Sequence, residues 1–234
     1  TENRKFKGKN MMGMPKGKPM GGAFHTMGLP ATLLHALRKL NYKQPTPIQR
    51  KALPPLLLGL DVVGMARTGS GKTAAFAVPM IARLKEHEAV VGVRGLVVSP
   101  TRELAVQTGK AMTMLCKGTD LRVGQIVGGE SLEAQFAVLA QNPDILVVTP
   151  GRLLHLTQVE TRLGLTRVQM VVFDGADRLF EMGFQEQLKE LLALLPQNRQ
   201  TCMFSATLPS SLADFAAAGL RPDAQFIRLD VEMK

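Results

Sequence analysis

Short apolar runs recur along this chain at residues 61–65, 94–99, 121–127, 145–149, 170–173, 201–204 and 225–229, with helical patterning between them. Runs such as Ile145-Leu146-Val147-Val148 and Met170-Val171-Val172-Phe173 show no polar alternation, so each is expected to be covered on both faces. Parallel strands need long crossovers, and the intervening helices supply them. The expected fold class is α/β, a mostly parallel sheet with helices on both faces. No repeat with a period of about 20–50 residues is visible, which sets aside solenoids and propellers.

The helices are marked by their starts. Pro30 opens a stretch to Leu40 that places Leu33, Leu34, Leu37 and Leu40 on one face. Thr46, between Pro45 and Pro47, is a good N-cap for a helix to about Leu58. Further helices are expected up to about Glu88, after Pro100, over Ser131–Ala140, after Pro150, over Phe184–Leu195 and from Pro209 to about Ala218.

Composition narrows the partners. With 45% hydrophobic residues, 234 residues suffice for one substantial core. No apolar run approaches the roughly 20 residues of a membrane span, so a soluble protein with no membrane partner is expected. Cys116 and Cys202 lie far apart without metal-ligand spacing and are expected to be reduced and structural. The net charge is +10, and half of it sits in residues 1–22, where six basic side chains face one acid. That segment reads as a basic flexible tail ahead of a folded unit over 23–230, and its charge favours a polyanionic partner.

The most specific stretch is Ala66-Arg67-Thr68-Gly69-Ser70-Gly71-Lys72-Thr73, set between an apolar run and a helix. Strand, glycine-rich turn, Gly-Lys-Thr and helix form the context of a phosphate-binding loop, although the usual pattern has glycine at the position of Ala66. Gly69 and Gly71 permit a concave nest of N–H groups at a helix N-terminus. Lys72 is placed to reach β/γ-phosphates and the Thr73 hydroxyl to help hold Mg²⁺. Asp174, directly after an apolar strand, is the matching metal carboxylate. The rigid Pro45-Thr46-Pro47-Ile48-Gln49 turn fixes Gln49, whose amide suits a purine edge. Each polar motif follows a strand directly, at the edge where open α/β sheets bind ligands.

In this order the motifs resemble the first RecA-like domain of the DEAD-box RNA helicases, a P-loop NTPase fold, over nearly all of residues 24–229. Phe24 and the segment Tyr42 to Gln49 resemble the family's adenine-reading Q motif. The loop Ala66 to Thr73 matches the family's own version, alanine included. The resemblance implies ATP and Mg²⁺ as cofactors. It places Phe24, Tyr42, Gln49, Ala66, Arg67, Thr68, Gly69, Ser70, Gly71, Lys72 and Thr73 around the nucleotide. Thr73 and Asp174 face the metal, and Lys72 and Asp174 carry the catalytic roles. Pro100-Thr101-Arg102, Gly128-Gly129 and Thr149-Pro150-Gly151-Arg152 are similar to RNA-backbone motifs, which implies RNA contacts largely independent of sequence. Ser205-Ala206-Thr207, with Asp177, matches the element that couples nucleotide state to strand separation.

Two departures shape the expected activity. The family reads Asp-Glu-Ala-Asp, whereas this chain reads Asp174-Gly175-Ala176-Asp177. The missing glutamate positions the attacking water in the family, and losing a positioned base costs about 10²–10⁴-fold in rate. Nucleotide and Mg²⁺ binding with poor hydrolysis is therefore expected. The family's second RecA-like domain, with its arginine fingers, would begin near Val231, so the chain is expected to be the nucleotide-binding half of a monomeric helicase. Arg178 to Phe184 and Ile227 to Asp230 are most similar to a nucleolar branch in large-ribosomal-subunit assembly, which implies nuclear localisation. A non-hydrolysing ATP-dependent RNA clamp, with Gly175 native, is the alternative. A small-molecule kinase is disfavoured by Pro45–Gln49 and Ser205–Thr207.

Overall fold

The computed structural model describes residues 23–160 and 163–229. The basic tail expected over 1–22, and Asp230, lie outside the described residues. In chain order the elements are α1 (Ala31–Lys39), α2 (Pro47–Leu57), β1 (Val62–Met65), α3 (Lys72–Leu84), β2 (Gly95–Val98), α4 (Arg102–Leu115), β3 (Val123–Ile126) and α5 (Leu132–Ala140). They continue with β4 (Ile145–Val148), α6 (Pro150–Val159), β5 (Met170–Asp174), α7 (Ala176–Glu181), α8 (Gln185–Leu194), β6 (Gln200–Ser205), α9 (Ser210–Gly219) and β7 (Gln225–Arg228).

The strands form one sheet in the order β3-β4-β2-β5-β6-β1-β7, and every pairing is parallel. Successive strand residues face opposite sides, so each strand feeds two cores. In β2, Val97 joins the core with Leu33, Ile48, Phe76 and Met112 from α1 to α4. Its neighbours Leu96 and Val98 join the opposite core with Leu153, Leu179, Leu188 and Phe215 from α6 to α9. Full burial of each such side chain stabilises the fold by about 1.5–3 kcal/mol. Packing is close at Gly64 in β1, where a Cβ would lie 2.7 Å from the Phe204 ring. That ring in turn packs on Phe76 at 5.3 Å between centroids.

Polar clasps close the amino-terminal edge of the sheet. Arg94 and Asp144 pair at 2.8 Å with both side chains 2% exposed. The other oxygen of Asp144 accepts from the Arg122 N–H at 2.9 Å and lies 2.9 Å from His87 Nδ1. Buried Asp61 accepts from the Thr201 N–H at 2.8 Å and from the Arg221 guanidinium at 2.8 Å, which ties the start of β1 to β6. Cys116 and Cys202 are free and buried, as expected. Burial pushes the Cys116 thiol up to about 12 and the Cys202 thiol higher still. Among the described residues no helix is long and apolar enough to cross a membrane.

Two elements depart from the sequence expectation. α3 ends at Leu84 rather than near Glu88, and Lys85 turns the chain with φ +62°. Residues 86–88 then wrap Arg94, through the Glu86 carbonyl and the Glu88 carboxylate. The short α7 is not expected from the sequence. Six residues are too few for a helical period to register, and this helix is held by burial of Ala176 and Leu179.

Candidate nucleotide and RNA site

The glycine-rich loop leaves the sheet at Met65, where the Ala66 N–H donates to the Ser205 carbonyl at 3.0 Å. Gly69 and Gly71 take φ of +78° and +91°. Gly71 has a second reason to be glycine: a Cβ there would lie 2.5 Å from Gln49 Nε2. Gln49 reaches the loop because α2 starts with a reciprocal cap. The Thr46 N–H donates to Gln49 Oε1 at 2.9 Å, and Thr46 Oγ1 accepts from the Gln49 N–H. Gln49 Nε2 then donates to the Gly71 carbonyl at 3.0 Å, and the side chain is fully buried. The amide that the sequence turns toward a purine edge is thus engaged with the cap and the phosphate loop. Phe24 is buried and Tyr42 half-buried, and both line a small pocket with Leu34, Leu37, Arg38 and Lys43; Gln49 lies outside it.

Lys72, the first residue of α3, folds its ammonium back onto the loop and donates to the Ala66 carbonyl and, at 2.9 Å, to the Arg67 carbonyl. Burial lowers its pKa, opposed by the charges of Asp174 and Asp177. Asp174 ends β5 and is 5% exposed. Burial raises its pKa, opposed by a 2.9 Å hydrogen bond from Thr108 Oγ1, the Lys72 charge and the Gly175 N–H. Ser70 Oγ is buried without a hydrogen-bond partner. A phosphate oxygen in the loop would satisfy that hydroxyl, so the nest, the cation and the carboxylate fit a nucleoside polyphosphate with its divalent ion. Among the described residues no cluster of three or more ligating side chains exists. Thr73 and Asp174 are the candidate holders of Mg²⁺, which keeps several waters and phosphate oxygens of its own.

Gly175 adopts the left-handed conformation at φ +67° and caps α7. Asp177, on the first turn of that helix, joins the predicted coupling triplet. Its Oδ2 accepts from the Thr207 N–H and hydroxyl, both at 3.0 Å, and its own N–H donates to Ser205 Oγ at 3.0 Å. Burial raises the Asp177 pKa, but these Thr207 bonds, the Arg178 N–H and Ser205 hold it below the usual carboxylate range. Ala206 and Thr207 remain exposed.

The predicted RNA residues gather on the neighbouring strand ends. Thr101 caps α4, accepting from the Leu104 N–H at 3.2 Å, and Pro100 is buried beneath it. Arg102 donates to the Gly128 carbonyl at 2.9 Å and to the Glu130 carboxylate at 3.1 Å. Arg152 donates to the Glu130 carbonyl at 2.9 Å. The Gly128 N–H donates to Thr149 Oγ1 at 3.2 Å, and Gly129 turns with φ +85°. Pro150 and Gly151 open α6, with Gly151 exposed. Sequence reading misses three residues here: Glu130, Gln135, whose Nε2 donates to the Val127 carbonyl at 2.6 Å, and Thr108. Gln135 and Thr108 do carry a signal, since each is a polar residue on a helix face that is otherwise buried or apolar.

A parallel sheet with a phosphate-type loop after β1, a buried carboxylate after β5 and helices on both faces is a RecA-like P-loop domain. A profile of the DEAD/DEAH box helicase family matches residues 46–215, and the chain belongs to that family. It is 58% identical over 97% of its length to the ATP-dependent RNA helicase DBP10 of Phaeosphaeria nodorum, covering 26% of that protein. It is 56% identical over 93% of its length to the DBP10 of Yarrowia lipolytica, covering 23%. The chain thus spans about a quarter of the length of these curated relatives. Among solved structures, the ADP-bound RNA helicase Prp28 of Chaetomium thermophilum superposes with a TM-score of 0.82 at 35% identity, over 90% of this chain and 51% of that one. A DEAD box protein of Methanococcus jannaschii superposes with a TM-score of 0.81 at 33% identity, over 88% and 55%.

Proposed function

We propose that this chain is the ATP- and Mg²⁺-binding, RNA-contacting domain of an ATP-dependent RNA helicase or remodeller, and that it hydrolyses ATP poorly. The carrying observation is the meeting of Lys72, Asp174, Asp177 and Ser205–Thr207 at one edge of the sheet, beside the arginines after β2 and β4. Gly69 to Thr73 bind phosphates through backbone N–H groups, and Lys72 exchanges its loop carbonyls for phosphate oxygens. Mg²⁺, when bound to Thr73 and Asp174, supplies neutralisation of phosphate charge. Arg102 and Arg152, next to the N-termini of α4 and α6, grip an RNA backbone. Family membership and the names of the DBP10 relatives support this reading. The second RecA-like domain of the longer protein supplies the remaining transition-state charge.

Gly175 has no side chain with which to position water. In the longer protein, Gly175→Glu is expected to raise the single-turnover ATPase rate by about 10²-fold or more. Equal rates would remove Gly175 as the cause of weak turnover. The same residue favours a second reading, an ATP-dependent RNA clamp. A protein with Gly175 that retains RNA stably in ATP without unwinding a duplex supports the clamp, and efficient unwinding removes it. By resemblance to the nucleolar branch, we place the longer protein in ribosomal RNA processing; a tagged full-length protein excluded from nucleoli would overturn that placement.

A further inference from the structure

The two sets of residues occupy different halves of the sheet. The RNA-type residues follow β2, β3 and β4, the nucleotide-type residues follow β1, β5 and β6, and the halves meet where β2 pairs with β5. One side chain bridges that seam. α4 carries Arg102 at its first position and buries a stripe of Ala105, Thr108, Gly109, Met112 and Leu115. Thr108 is the one polar side chain on that stripe and is 1% exposed. It lies six residues beyond Arg102, about 9 Å along the helix axis.

A threonine inside a helix commonly returns its hydroxyl to a carbonyl one turn back. Thr113 in the same helix does so, donating to the Gly109 carbonyl at 2.9 Å. Thr108 instead donates to Asp174 Oδ2, also at 2.9 Å, across 66 positions of sequence. Such a bond in a buried setting is strong and directional. It occupies one lone pair of the carboxylate and fixes the rotation of the group, so the remaining lone pairs are presented in one orientation. Carboxylates that hold metals depend on such outer partners for their geometry.

We propose that Thr108 is a positioning residue for the metal-holding carboxylate of Asp174, anchored on the helix that also carries Arg102. The inference rests on the reading of Asp174 as the Mg²⁺ carboxylate. Thr108→Val keeps the shape and removes the hydroxyl, Thr108→Ser keeps the hydroxyl, and Thr108→Ala serves should the valine variant fail to fold. The affinity of this chain for a fluorescent ADP analogue is measured in EDTA and across a Mg²⁺ titration. In Thr108→Val the half-saturating Mg²⁺ should rise about tenfold, with affinity in EDTA held within about twofold of wild type, and Thr108→Ser should restore the wild-type titration. A valine variant that titrates like wild type overturns the proposal. So does one that weakens binding equally in EDTA and in Mg²⁺, which marks a merely structural role. A wild-type chain whose ADP affinity ignores Mg²⁺ removes the reading of Asp174 itself, and the proposal with it.

Discussion

At position 175 the backbone and the proposed hydrolysis ask for different residues. The φ of +67° suits glycine, and a Cβ would lie 3.2 Å from Leu104 Cδ2 and 3.4 Å from the Pro100 ring. A side chain in this conformation costs about 1 kcal/mol. Gly175→Glu and Gly175→Ala should therefore lose similar stability by urea titration, about 1 kcal/mol each, while only the glutamate gains turnover. Asp144 makes a different demand, on pH. Burial raises its pKa, but hydrogen bonds from Arg94, the Arg122 N–H, His87 and the Glu88 N–H leave it lowered overall. A folded pKa below the unfolded one gives a contribution that is complete above the unfolded value, about 3.9 for aspartate, and is lost as pH falls through the folded value. Asp144→Asn should flatten the stability profile in that acid window. It should also cost about 1–3 kcal/mol at neutral pH, because buried Arg94 loses one of its two carboxylate partners and keeps only the half-exposed Glu88. Thermal melts from pH 2 to 7 check both outcomes.

Among the elements, β1 has little room for added volume. Gly64 lies beside Phe204, which is itself wedged on Phe76. Gly64→Ala is expected to lose about 1–3 kcal/mol by overpacking, read as a lower urea midpoint at unchanged slope. The strands were legible in sequence because each is a local apolar run, and the all-parallel pairing follows from their doubly buried character. The glycine-rich turn after β1 was legible because its glycines and Lys72 are contiguous. Other features were not, and three of them have a tertiary cause. α3 stops at Leu84 because residues 86–88 are drawn to Arg94. Gln49 turns to the Gly71 carbonyl, a partner 22 residues away that no local pattern specifies. Thr108 meets Asp174 only once β2 and β5 are paired.

For the whole molecule, the proposed nucleotide site joins α2, β1, α3, β5 and β6, so a ligand there should report on global folding. Mg·ADP at a hundred times its dissociation constant adds about 2.7 kcal/mol. For a domain of this size, that shifts the melting temperature by about 5–10 °C. A shift that vanishes in Lys72→Ala places the ligand in the loop, whereas an equal shift in the variant excludes it. The buried thiols have a practical consequence. Cys116 and Cys202 both belong to the core under α1 to α4, with their thiolates disfavoured by burial. Maleimide should therefore modify neither in the native protein, and their labelling rate in weak denaturant becomes a clock for global opening. The unmodified chain is thus a ready background for spectroscopy: a single cysteine placed at exposed Glu133 or Lys51 takes the dye alone. The response of such a dye can then follow ligand binding with the native thiols left in place.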